Sequence, residues 1–162
     1  MWEELRNGNE LYAASFDRAD LAAPPRLGLA ILTCMDARIV PHRFLGLEEG
    51  DAHVLRNAGG RVSGDALRSL IVSTRCLGVR ELLIIQHTDC GMMGLDEEAL
   101  RRRLGDETGA DASPIDFLSF NALEESLRRD VATVRSSPFI ATDFVVHGLI
   151  YDVATGRLSE VE

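Results

Sequence analysis

The chain reads as an α/β protein with a mainly parallel central sheet, flanking helices and an antiparallel hairpin at the carboxyl-terminal edge of the sheet. Three observations lead to that class. The runs LGLAILT at 27–33 and ELLIIQ at 81–86 are apolar without polar alternation, the pattern of strands buried on both faces. Segments with helical spacing lie between the strand-like runs, so strand and helix alternate and right-handed crossovers make the strands parallel. Two final strand-like segments flank Ala154-Thr155-Gly156, which reads as a hairpin turn.

Each element follows in order. Trp2 to Phe16 predicts an amino-terminal helix, and Leu21 to Pro25, with its Ala-Ala-Pro-Pro, a linker into the core. Leu27 to Thr33 is the first strand. Pro41 suits the first turn of a short helix, PHRFLG, which Gly46 ends. Ala52 to Leu55 is the second strand, followed by a glycine-bearing turn, Asn57 to Gly60. Asp65 to Leu77 places Leu67, Leu70, Ile71 and Val72 on a helix stopped by Gly78. Glu81 to Gln86 is the third strand. Asp96 to Leu104 predicts a short helix ended by Gly105. A long helix is expected from Ser113, capped by its hydroxyl, with Pro114 as first residue, an apolar stripe of Leu123, Leu127, Val131 and Val134, and an end at Pro138. Asp143 to Tyr151 and Leu158 to Val161 form the hairpin. One domain over residues 1–162 is expected, in which 1–25 supply the amino-terminal helix and linker.

Composition narrows the function classes. A net charge of −9 argues against nucleic acid, whose phosphates are held by clustered Lys and Arg. The basic run Arg101-Arg102-Arg103 lies at the end of a helix whose acids come first, as the helix dipole prefers. An apolar run of about 20 residues, enough to span a bilayer, is lacking, so no membrane partner is expected. Three cysteines, an odd number, and an amino terminus without a secretory pattern point to a reducing cytoplasm.

Chemistry concentrates at two strand ends. Cys34 closes the first strand, and His87 and Cys90 close the third. In open α/β sheets, ligands collect beyond the carboxyl ends of strands where the winding direction reverses, so neighbouring first and third strands would bring these three together. Two thiolates and an imidazole suit zinc in tetrahedral geometry. Either Asp36 or a water completes the tetrahedron. Arg38, two residues on, can hold the Asp36 carboxylate in a bidentate pair and keep it off the metal. Cys76, within a helix and without a partner, reads as a small hydrophobe.

The strings CMDAR at 34–38 and HTDCG at 87–91, on either side of the RNAGG turn at 56–60, resemble the β-class carbonic anhydrases, especially the short archaeal and bacterial members. The likeness runs from about Ala30 to Leu95 and again through the closing VHGLIYDVATGRL. It implies Cys34, His87 and Cys90 as zinc ligands, with Asp36 a fourth ligand in a closed state, and Asp36 with Arg38 as the catalytic dyad. It also implies reversible hydration of carbon dioxide to bicarbonate by zinc-bound hydroxide, oriented by Asp36. A homodimer or higher oligomer is implied too, with the amino-terminal helix packing on the partner. The chain departs from the plant members: Glu48 or its neighbour stands where they carry a glutamine, and their pocket aromatics lack a counterpart. Asp89 and Met92 follow the short members instead. His42, His53 and His147 are candidate proton shuttles, because imidazole titrates near neutrality. Two other functions use the same residues: a zinc hydrolase of carbon disulfide or carbonyl sulfide, and a non-catalytic dimeric zinc-binding protein.

Overall fold

A computed structural model describes residues 1–161. In chain order it contains α1 (Trp2–Ala14), β1 (Leu29–Cys34), α2 (Pro41–Leu45), β2 (Ala52–Asn57), a 3-10 turn (Ala58–Gly60), α3 (Gly64–Cys76), β3 (Glu81–His87), α4 (Glu97–Thr108), α5 (Leu123–Arg135), β4 (Val145–Tyr151) and β5 (Leu158–Glu160). The strands lie in the order β2-β1-β3-β4-β5, with β1 to β4 parallel and β5 antiparallel to β4. The expected mainly parallel sheet with an antiparallel edge hairpin is therefore present.

The apolar runs sit at the centre. Ile31 and Leu32 on β1, and Ile84 and Ile85 on β3, are fully buried. Successive strand residues face opposite sides, so both faces of the sheet are covered at this point. Each such side chain contributes about 1.5–3 kcal/mol by leaving water. On one side α5 brings Leu127, Val131 and Val134 into a cluster with Leu32, Leu82, Ile84 and Val146. The chain runs from β1 outward to β2, then crosses back to β3 on the other side of β1. The winding direction thus reverses between β1 and β3, and their carboxyl ends are the natural place for a site.

Three helices depart from expectation. On α3 the buried stripe is Ala66, Leu70 and Ser73, capped by the Ser63 side chain, while Val72 faces solvent. Cys76, the last residue of α3, is exposed rather than packed as a small hydrophobe. Helix α4 continues through Gly105 and stops at Gly109, whose φ of 72° supplies the left-handed cap that closes onto the Gly105 carbonyl. The helix expected from Ser113 begins only at Leu123. Upstream, Asp111 and Asp116 side chains accept from the backbone amides of Ser113 and Leu118, local turns that compete with helix. The apolar stripe from Leu123 to Val134 lies on α5 as expected.

Helix α1 differs from the rest, since every one of its residues is exposed. Its end is tethered by Tyr12, which donates to the Glu49 carboxylate at 2.9 and 3.0 Å, and the following turn by Arg18 with Glu48 at 3.3 Å.

Candidate metal centre

The site grows from the ends of β1 and β3. Cys34 ends β1, His87 ends β3, and Cys90 lies on the turn three residues later. All three are buried, and one ligand atom from each lies within 4.8 Å of the others. Tetrahedral zinc bonds of roughly 2.0–2.3 Å would put such atoms about 3.5–3.8 Å apart.

Backbone close approach makes this convergence possible. A Cβ on Gly60 would lie 3.0 Å from the Cys34 amide nitrogen and 3.0 Å from the Thr33 carbonyl carbon, and its φ is +64°. Only glycine permits the 3-10 turn to pack there. Arg56, at the end of β2, donates to the Cys34 carbonyl at 3.0 Å and to the Asp36 carbonyl at 2.7 Å, fixing the turn after β1.

His87 Nδ1 donates to the Thr88 carbonyl at 2.8 Å, so Nε2 carries the free lone pair. That atom is buried and has no hydrogen-bond partner among the described residues. Asp36 Oδ2 lies 3.9 Å from it. The Cys34 thiol is held down to about 4, first by its hydrogen bond with Cys90 and then by His87, against the upward push of burial. Cys90 is pushed up, first by the same bond to Cys34 and then by burial. Burial works against a charge on His87, but the nearness of Cys34 and the bond to the Thr88 carbonyl outweigh it and leave the imidazole more basic than usual. Two sulfurs and an unpartnered imidazole nitrogen facing one point form a receptor for a cation.

Asp36 stands beside this receptor but is turned toward arginine. Its Oδ1 accepts from Arg38 Nε at 3.0 Å and from the Arg38 amide at 2.9 Å, and its Oδ2 accepts from Arg38 Nη2 at 2.8 Å. The Arg38 guanidinium and then its backbone amide hold the Asp36 carboxyl well below the usual carboxylate range. Phe120, Met92 and Leu123 pack with Cys34 and Cys90.

A profile of the carbonic anhydrase family matches residues 29–158. Beta-carbonic anhydrase 1 of Mycobacterium tuberculosis is 41% identical over 152 residues, covering 93% of this chain and 91% of the relative. The chain belongs to the β-carbonic anhydrase family. The crystal structure of the Streptococcus mutans carbonic anhydrase superimposes with a TM-score of 0.93 at 42% identity, covering 99% of this chain and 97% of that one. A carbon disulfide hydrolase of Acidianus is 32% identical over 158 residues, covering 83% of this chain and 78% of the relative.

Within this β-carbonic anhydrase fold, the residues singled out from sequence separate cleanly. Cys34, Asp36, Arg38, His87 and Cys90 come together. The three other histidines do not join them. His53 pairs with the Ser73 hydroxyl and the Ala23 carbonyl, in register with Ala30, roughly 13 Å of strand before Cys34. His147 lies between Glu81 and Glu160, and its strand partner Leu83 precedes His87 by a similar length. His42 lies in the first turn of α2. Sequence reasoning missed Arg56 and Phe120. Arg56 had a signal in its place before the glycine turn, whereas Phe120 fell inside the expected helix.

Proposed function

We propose that this chain catalyses the reversible hydration of carbon dioxide to bicarbonate and a proton, with zinc held by Cys34 Sγ, His87 Nε2 and Cys90 Sγ. The observation that carries this reading is the buried, unpartnered His87 Nε2 converging with two thiols beside a carboxylate that arginine restrains. The donor set fits zinc: two sulfurs and one nitrogen, with the second imidazole nitrogen fixed by a carbonyl. When bound, zinc serves as a Lewis acid that brings the pKa of water down to about 7 and so supplies hydroxide for attack on the carbon of carbon dioxide.

The remaining work falls to this chain's own groups. Thr88 fixes the tautomer of His87. The Cys34 and Cys90 thiolates neutralise the charge of a divalent ion. Asp36, kept ionised by Arg38, is an acceptor without a proton of its own; it orients an O–H group next to the ligands and disfavours an anion that has no proton to donate. Phe120 and Met92 keep water from the sulfurs.

Asp36 also separates this function from a purely structural zinc site. A closed site would take Asp36 as fourth ligand, yet three hydrogen bonds from Arg38 hold its oxygens. The relatives named carbon disulfide hydrolases support a second reading, hydrolysis of carbon disulfide or carbonyl sulfide by the same residues. Stopped-flow assays of the zinc-loaded protein decide: carbon dioxide hydration should be fast, and turnover of carbon disulfide with none of carbon dioxide would reverse the assignment.

The exposed apolar residues Trp2, Leu5 and Tyr12 of α1, with Phe16 just beyond its end, support a homodimer in which residues 1–25 lie on a second copy. The remaining residues make up one catalytic domain. The three free cysteines suit a cytoplasmic setting, and no helix among the described residues is long and apolar enough to cross a membrane.

A further inference from the structure

The Arg38 guanidinium carries five N–H donors in a rigid fork and presents two edges. One edge, Nε and Nη2, meets Asp36. The other meets Asp89: Nη1 donates to Asp89 Oδ2 at 2.8 Å, and Nη2 donates to the Asp89 main-chain carbonyl at 3.0 Å. The two contacts differ in reach. Asp36 and Arg38 belong to one turn, two residues apart, so their pair could swing as a unit. Asp89 stands between His87 and Cys90, on the other ligand-bearing turn, 51 residues from Arg38 in the chain. Its backbone has a φ of +55°, the left-handed region that Asp and Asn tolerate better than most residues. From that conformation both its carbonyl and its carboxylate meet the same guanidinium.

Resting on the reading of the site given above, we infer that Asp89 is a positioning residue: it anchors the Arg38 fork across the two ligand turns, and thereby keeps the Asp36 carboxylate off the fourth metal position. Arg38 is about half exposed, with a side-chain exposure of 47%. With Asp36 as its sole partner it would follow that carboxylate wherever it moved. Anchored on Asp89 as well, it resists the rotation that would bring Asp36 Oδ2 onto the metal.

Two substitutions separate side chain from backbone. Asp89→Asn keeps the left-handed conformation, the carbonyl contact and a neutral acceptor; Asp89→Gly keeps the backbone and removes the side chain. Each is made in the wild-type and Arg38→Ala backgrounds and loaded with cobalt. Azide binding is then followed by the visible absorption of the metal, a readout that needs no turnover. Asp89→Gly should weaken azide about tenfold, because Asp36 then competes for the open position, and Asp89→Asn should weaken it less. In the zinc protein kcat should fall in the same order with KM little changed. In the Arg38→Ala background neither substitution should add anything, since the route through arginine is gone. Azide affinity within twofold of wild type in both variants, or an equal loss with and without Arg38, would overturn the inference. Absence of hydration by the wild-type zinc protein would overturn the functional reading alone, because azide decides the clamp independently.

Discussion

The Cys34, His87 and Cys90 cluster is bordered by charged side chains and by apolar ones, and the two borders are held by different means. The charged side consists of Asp36, Arg38 and Asp89, each within four residues of Cys34, His87 or Cys90 and joined by short charge-assisted bonds. The apolar side consists of Met92, Phe120 and Leu123, and its main element arrives from far along the chain. Phe120 is pinned by backbone bonds with Met92 and Gly94 and lies 5.5 Å beneath the Arg61 guanidinium. Arg61 donates to the Leu118 carbonyl, and it forms a buried pair with Asp130 at 2.7 Å, which Gln86 joins at 2.9 Å. The charged border should therefore govern what happens at the metal, and the apolar border how firmly the pocket holds together.

The floor shared by both borders gives the largest expected effect. Cys90→Ser replaces a thiolate by a poor zinc ligand, and zinc affinity should fall by more than the roughly 10–100-fold that loss of an outer hydrogen-bond partner costs. Hydration should vanish with the metal. Elemental analysis showing full zinc with normal activity would break the assignment of the floor itself.

Removing the apolar border should damage stability first. Phe120 is 6% exposed, and Phe120→Ala leaves a cavity against two sulfurs; the loss should be about 3 kcal/mol, read in denaturant titration of the metal-free protein. A change as small as that of a surface substitution would show that Phe120 merely rests on the cysteines.

The charged border predicts the opposite pattern. Arg38→Ala should free Asp36 to take the fourth metal position, so hydration should fall by roughly a hundredfold while zinc content and melting temperature stay near wild type. Equal losses of activity and metal would erase the distinction between the two borders.

The same difference explains what could be read from the sequence. The Asp36–Arg38 pair and the metal-binding floor were legible because each half is local: Cys-x-Asp-x-Arg follows one buried apolar run and His-x-x-Cys another, and strand alternation places both at one end of the sheet; the reach of Arg38 to Asp89 was not. The apolar border was not legible. Residues 113–122 carry a serine, a proline and apolar residues at spacings that suit a helix start. Their actual path is set by long-range bonds from Arg61 and Glu97 to Leu118 and Ser119, which no local pattern encodes. Likewise, of the residues the spacing on α3 suggested, Leu70 is buried and Ile71 packs on the core, but Val72 is exposed, and Ala66 and Ser73 are buried instead. Helix type was readable, and its rotation was decided by the partner surface.

The smallest expected effect tests the tie between Glu97 and the apolar border. Glu97 accepts from the Ser119 backbone amide at 2.8 Å and pairs with Arg101 on the next turn of α4. Ser119, through its side chain and its backbone, and then Arg101 hold the Glu97 carboxyl down to about 2, below its ordinary value of 4.5. A carboxyl depressed in the folded state binds its proton more readily when unfolded, so it adds stability above pH 4.5 that is lost as pH falls toward 2. Glu97→Gln keeps an acceptor for the Ser119 amide but cannot show that dependence. Melting temperatures of the two metal-free proteins should therefore differ by a few degrees at neutral pH and converge between pH 4.5 and 2. A constant gap across that range would mean that the Glu97 charge does not hold Ser119, and that the path of Phe120 rests on Arg61 and the Met92 and Gly94 backbone instead.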